Sequence, residues 1–107
     1  MGIGQSFQGI SGKRYEYLSI STKDLHATPR QAGNYIFARS DGSPIMISCA
    51  LSLRKDIFGS HMWEIAKGAH EATLLLIHVD PTADERARNL EMMDLIDAYN
   101  PPMNHRA

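Results

Sequence analysis

The chain has 107 residues, 43% of them hydrophobic and 21% charged, with a formal net charge of −1 and one cysteine, Cys49. That length suits a single domain with its own core, and a lone cysteine excludes an intrachain disulfide framework. The near-neutral balance argues against nucleic-acid binding by bulk charge alone, and no apolar run approaches the roughly 20 residues of a membrane span. Met1-Gly2-Ile3-Gly4-Gln5 has no basic segment followed by an apolar block, so no signal peptide is expected and a cytoplasmic, intracellular domain is. Charge is uneven along the chain. Residues 1–60 carry seven Lys/Arg against four acids, and residues 61–107 carry four against eight.

Residues 1–13, rich in Gly, Ser and Gln, offer little to bury and predict a flexible N-terminal arm, with a single domain over residues 14–107. Arg14–Ser21 alternates as a strand does, with Tyr15, Tyr17 and Ile20 as inward positions. After a connection over residues 22–32, the runs 34–39 and 45–50 read as a hairpin around Asp41-Gly42, with Pro44 opening its second strand. Ser52 can cap a short helix that gathers Leu53, Ile57 and Phe58 on one face. A second helix is expected from about His61 to Ala69, turning Met62, Ile65 and Ala66 inward. Ala72–Val79 reads as a buried strand. Asp80 then serves as the predicted N-cap of a long helix, with Pro81 in its first turn. Met92, Leu95, Ile96 and Tyr99 form its apolar stripe, and Asn100-Pro101-Pro102 stops it. The order predicts an α+β fold, a small and mainly antiparallel sheet of three to four strands flanked by helices.

The five histidines, His26, His61, His70, His78 and His105, make no helical His-x-x-x-His pair, and Cys49 has no cysteine neighbour, so no zinc site is expected. His78 reads as a hydrogen-bonded histidine at the edge of the core, and Cys49 as a small buried hydrophobe. No Gly-rich loop joins a strand to a helix, which leaves phosphate-loop nucleotide binding without support. Other residues fall into a longer pattern. Gly33-Asn34-Tyr35 opens one strand, and Met46-Ile47-Ser48 lies in the next, eleven residues from Tyr35 to Met46. Leu53-Arg54-Lys55 follows, then Glu91 with Leu95-Ile96, and finally Tyr99-Asn100-Pro101-Pro102-Met103-Asn104. In this order and spacing the sequence resembles the GIY-YIG nuclease domain over roughly residues 33–104.

That resemblance implies a DNA-cutting ancestry in which a strand tyrosine helps activate water and a helix glutamate holds Mg2+ or another divalent cation. An arginine and a histidine or tyrosine attend the phosphate. Tyr35 matches the tyrosine, Glu91 the metal-binding glutamate and Asn104 the terminal asparagine. Met46 and Ser48 stand where the second motif has tyrosine and glycine, Asp56 where the arginine belongs, and Ser60 at the histidine or tyrosine position. Arg54 and His61, two residues and one residue away, are the candidate substitutes. The expectation is a GIY-YIG-like domain with impaired catalysis, acting as a nucleic-acid-binding or interaction module. The alternatives are an active metal-dependent DNA endonuclease using Tyr35, Arg54, His61 and Glu91, or a structural or assembly protein with no nucleic-acid role. Simpler roles stand beside these: Tyr35 as a packed strand aromatic, Glu91 as a helix-flank partner of Arg88, and Asn104 as a tether for the chain end.

Overall fold

In a computed structural model, residues 4–23, 27–59 and 61–104 are described; His26, Ser60 and His105 lie outside that set. The elements run β1 (Gly4–Gln8), β2 (Arg14–Ile20), β3 (Gly33–Ala38), β4 (Pro44–Ala50), α1 (Leu53–Gly59), α2 (Met62–His70), β5 (Leu74–Val79) and α3 (Glu85–Tyr99). The strands pair in the order β1-β2-β5-β3-β4, every pairing antiparallel. The fold is α+β, with five strands instead of three to four. The additional strand is β1, which occupies residues 4–8 where composition predicts an arm. It pairs with β2 from Gly4↔Leu18 to Gln8↔Arg14. Phe7 anchors it: the ring is buried, edge-on to Tyr17 at 5.5 Å and to Tyr99 at 5.8 Å. Burying one such ring is worth about 2–3 kcal/mol, which supports a strand that otherwise carries only small and polar residues.

The sheet separates two clusters because side chains alternate along each strand. Tyr35, Phe37, Met46, Leu75 and Ile77 face α1 and α2, where they meet Leu53, Ile57, Trp63 and Ala66. Tyr17, Ile36, Ile47 and Leu76 face α3 and its Leu95. Alternation also corrects the reading of β2: Tyr15 and Tyr17 pack toward α3, while Ile20 packs on the other side. β3 and β4 form the expected hairpin, and β5 lies against the far side of β3 with Asn34 opposite His78. Gly33 makes this close approach possible, since a Cβ there would run into the backbone carbonyl of His78.

Three helix details differ from the sequence pattern. In α2 the inward residues are Trp63 and Ala66, whereas Met62 and Ile65 are exposed, as is Phe58 of α1. The N-cap of α3 is Asp84, whose carboxylate accepts from the Ala87 amide at 2.8 Å. Asp80 is not a cap because its amide continues the sheet, donating to the Ala32 carbonyl, and residues 81–83 bend before the helix starts. The buried line of α3 is Arg88, Glu91 and Leu95; Met92 and Ile96 are half-buried and Tyr99 is exposed.

Candidate functional site

Tyr35 sits in the middle of β3, opposite Ser48 of β4 and Ile77 of β5. Its ring is buried 5.3 Å from that of Phe37, and its hydroxyl donates to the Asp56 carboxylate of α1 at 2.5 Å. Burial and this hydrogen bond raise the tyrosine's pKa well above its ordinary value. Asp56 thus occupies the expected arginine position and holds the tyrosine. Met46 is part of the core on the same face. Arg54 instead packs its guanidinium over the Phe58 ring, 6.0 Å from the centroid. It lines an open groove of about 460 Å³ with Arg30, Ser52, Lys55 and Phe58. His61 is exposed just before α2. No hydrogen bond or ion pair joins Arg54 or His61 to Tyr35 or Asp56 among the described residues.

Glu91 lies on the opposite face of the sheet. Tyr17 of β2 donates its hydroxyl to Glu91 Oε2 at 2.6 Å, and Nδ1 of His78 lies 3.0 Å from Oε1 and 2.9 Å from Oε2. Glu91 is 7% exposed, so the flank position expected for it gives way to burial. The hydrogen bond to Glu91 raises the His78 pKa above its ordinary value, and burial raises that of Tyr17. Arg88 does not pair with Glu91. Its Nη1 donates to the carbonyls of Asp80, at 3.3 Å, and of Ala83. Asp80, two residues beyond His78 on the same side of the chain, completes a group whose ligand atoms all lie within 4.8 Å of one another. Tyr17, His78 and Asp80 were not singled out as site residues by the motif. The signal available was the spacing His78-x-Asp80, which puts two donors on one face of a strand end.

Asn104 closes the outer edge of β4. Its Oδ1 accepts from the Ile47 amide at 2.7 Å and its Nδ2 donates to the Ile47 carbonyl at 2.9 Å. Cys49 is half-buried, not fully enclosed, with its sulfur 3.4 Å from Asn89 Oδ1. Burial pushes its thiol pKa up. A cleft of about 670 Å³ opens here, between the end of β4, α1 and the start of α3, and includes Cys49, Lys55, Asp56, Glu85 and Arg88 in its walls. The residues matched by the motif are therefore distributed: Tyr35 on the α1 face, Glu91 on the α3 face, Asn104 at the sheet edge.

The sheet with its flanking helices has the architecture of a GIY-YIG endonuclease domain, and the chain resembles that superfamily over most of its length. Among solved structures, the magnesium-bound GIY-YIG N-terminal endonuclease domain of UvrC from Thermotoga maritima is 27% identical, with a TM-score of 0.61. The match covers 78% of this chain and 93% of that one. A tyrosine-to-phenylalanine mutant of the same domain (28% identity, TM-score 0.61) and an asparagine-to-alanine mutant (26%, 0.62) match over the same shares, each bound to its catalytic divalent cation. No protein-family model and no curated protein matches the chain.

The donors around Glu91 fit magnesium poorly. Mg2+ prefers an octahedral shell of oxygens and keeps several waters. Here an imidazole nitrogen lies against both oxygens of Glu91, and a tyrosine hydroxyl occupies one of them. That set is better matched to borderline cations that accept nitrogen.

Proposed function

We propose that this chain is a GIY-YIG-like domain with impaired catalysis that acts as a nucleic-acid-binding or interaction module. The observation that carries this reading is the Tyr35–Asp56 hydrogen bond. A carboxylate where a phosphate-binding cation is expected repels the substrate, and a buried hydroxyl committed to it is poorly placed to activate water. The separation of Tyr35 and Glu91 by the sheet supports the same reading, because water activation and metal stabilisation must act on one phosphorus. Binding is supported by the groove of Arg30, Arg54 and Lys55 beside the exposed ring of Phe58: cations for phosphates and an aromatic face for a base.

Incubating the chain with supercoiled DNA and Mg2+ or Mn2+, beside Glu91→Gln, tests the catalytic half. No nicking above background is expected. Metal-dependent nicking lost in Glu91→Gln, with folding intact by circular dichroism, establishes the active endonuclease instead. Titrating DNA affinity against salt tests the binding half. The expected log–log slope is negative, and Arg54→Ala/Lys55→Ala reduces its magnitude by about 1–2, in line with one released counterion per phosphate contact. Indifference to DNA at low salt leaves a protein-interaction or assembly role.

A further inference from the structure

We propose that the outer face of α3 pairs with the same face of a second copy of this chain, giving a reversible antiparallel dimer. The inference holds whether or not the chain binds or cuts nucleic acid. Arg88, Glu91 and Leu95 turn one side of α3 toward the sheet. Arg86, Leu90, Met93 and Asp97, spaced by four, three and four residues, fall within about 60° of one another on the opposite side. All four are exposed, Leu90 by 60% and Met93 by 50%. Beside this stripe runs a groove of about 400 Å³, walled by Glu85, Asn89 and the stripe residues Arg86, Leu90 and Met93. It offers a seat for side chains of a second helix.

The order of charges along the stripe identifies the occupant. Cation, apolar, apolar, anion is its own complement when the helix is turned end for end. Arg86 and Asp97 lie equally far from the midpoint between residues 91 and 92, and so do Leu90 and Met93. A two-fold axis through that midpoint therefore sets Arg86 against the partner's Asp97 and Leu90 against the partner's Met93 in a single register. Neither Arg86 nor Asp97 has an ion-pair partner among the described residues. Each also opposes its own helix: Arg86 stands in the first turn, at the positive end, and Asp97 in the last, at the negative end. An antiparallel neighbour reverses this, bringing Arg86 to a negative helix end and Asp97 to a positive one. The pairing uses the same face of both chains, so it closes at two copies. Three turns of one helix cover less than the roughly 800 Å² per partner of a standard interface, which sets a Kd on the order of 10–100 µM. The groove of Arg30, Arg54 and Phe58 lies with α1 across the sheet and stays uncovered.

Sedimentation equilibrium of the full chain, from about tenfold below to tenfold above that Kd, tests the pairing. The mass is expected to rise from one chain to two and to stop there. Arg86→Glu and Asp97→Arg each bring like charges together twice in the dimer and weaken it tenfold or more. Mixed in equal amounts, these two variants pair with each other at least as tightly as the native chain pairs with itself, because every charge then meets its opposite. Both substitutions are at exposed positions, and Arg86→Glu removes a cation from a positive helix end. Its Tm at low concentration therefore equals or exceeds the native value, which separates lost pairing from lost folding. The proposal is overturned if the native chain stays at one copy throughout, if both single variants pair as the native chain does, or if the mixed variants fail to pair.

Discussion

At Tyr35 a candidate nuclease residue and a packed strand aromatic are the same side chain, and its hydroxyl partner shows which role the surroundings favour. The alternation of residues 34–39 is enough to place the ring inside a sheet. The partner is not legible, because Asp56 is 21 residues away and reaches the hydroxyl only through the angle at which α1 leaves β4. Replacing Tyr35 by Phe keeps the ring and removes the bond, with an expected loss of about 1–2 kcal/mol in a urea titration, the range for a hydrogen bond to a charged but solvated partner. A neutral outcome would mean the bond is only incidental to stability. Glu91 illustrates the same limit. Its position beside an apolar stripe is readable, but its pairing with Tyr17, 74 residues earlier, depends on which strand lies beneath the helix.

The elements differ in how openly they declare themselves. The hairpin of β3 and β4 is plain, since β-rich runs flank Asp-Gly turn chemistry. α3 is plain as a helix but not at its start, where Asp80 and Asp84 both have capping chemistry and the extended sheet claims the first. β1 is the hardest to foresee because Gly, Ser and Gln carry no periodicity, and what secures it belongs to α3. The Asp94 carboxylate accepts from the Ser11 amide at 2.9 Å, the Ser11 hydroxyl at 2.7 Å and the Tyr15 hydroxyl at 2.8 Å. Gly9 lies so close that a Cβ there would collide with this carboxylate. The bonds from Ser11 lower the Asp94 pKa in the fold, and burial with the Asp94 bond raises that of Tyr15 to about 12. A depressed carboxylate pKa stabilises the fold fully above the unfolded value and loses that contribution as pH falls through the folded value. Asp94→Ala is therefore expected to lower the urea midpoint at pH 7, with the gap to the native chain closing toward pH 3. A gap that stays constant with pH would show that Asp94 acts through packing and not through charge.

For the whole molecule, the order of elements from β2 onward and the α+β class follow from the sequence, and the solved GIY-YIG neighbours share the fold over 78% of the chain. Which motif residues share a face does not follow. Strand parity sends Tyr35 and Tyr17 to opposite sides of one sheet, and that parity is set by the pairing of β2 and β3 with β5. The other hidden feature is at the rim. β4 is an edge strand, and part of its outward edge is taken: the Met103 amide donates to the Ile45 carbonyl, and the Asn104 carboxamide meets both polar groups of Ile47. An uncovered edge is a template for another chain to add itself. Asn104→Ala should accordingly convert a population of bounded size into one whose scattering mass keeps growing with concentration, a change that dilution reverses. Unchanged mass would assign the protection to Met103 alone. One carboxamide thus stands in for a sixth strand, and it separates a sheet that ends from one that could be extended into a fibre.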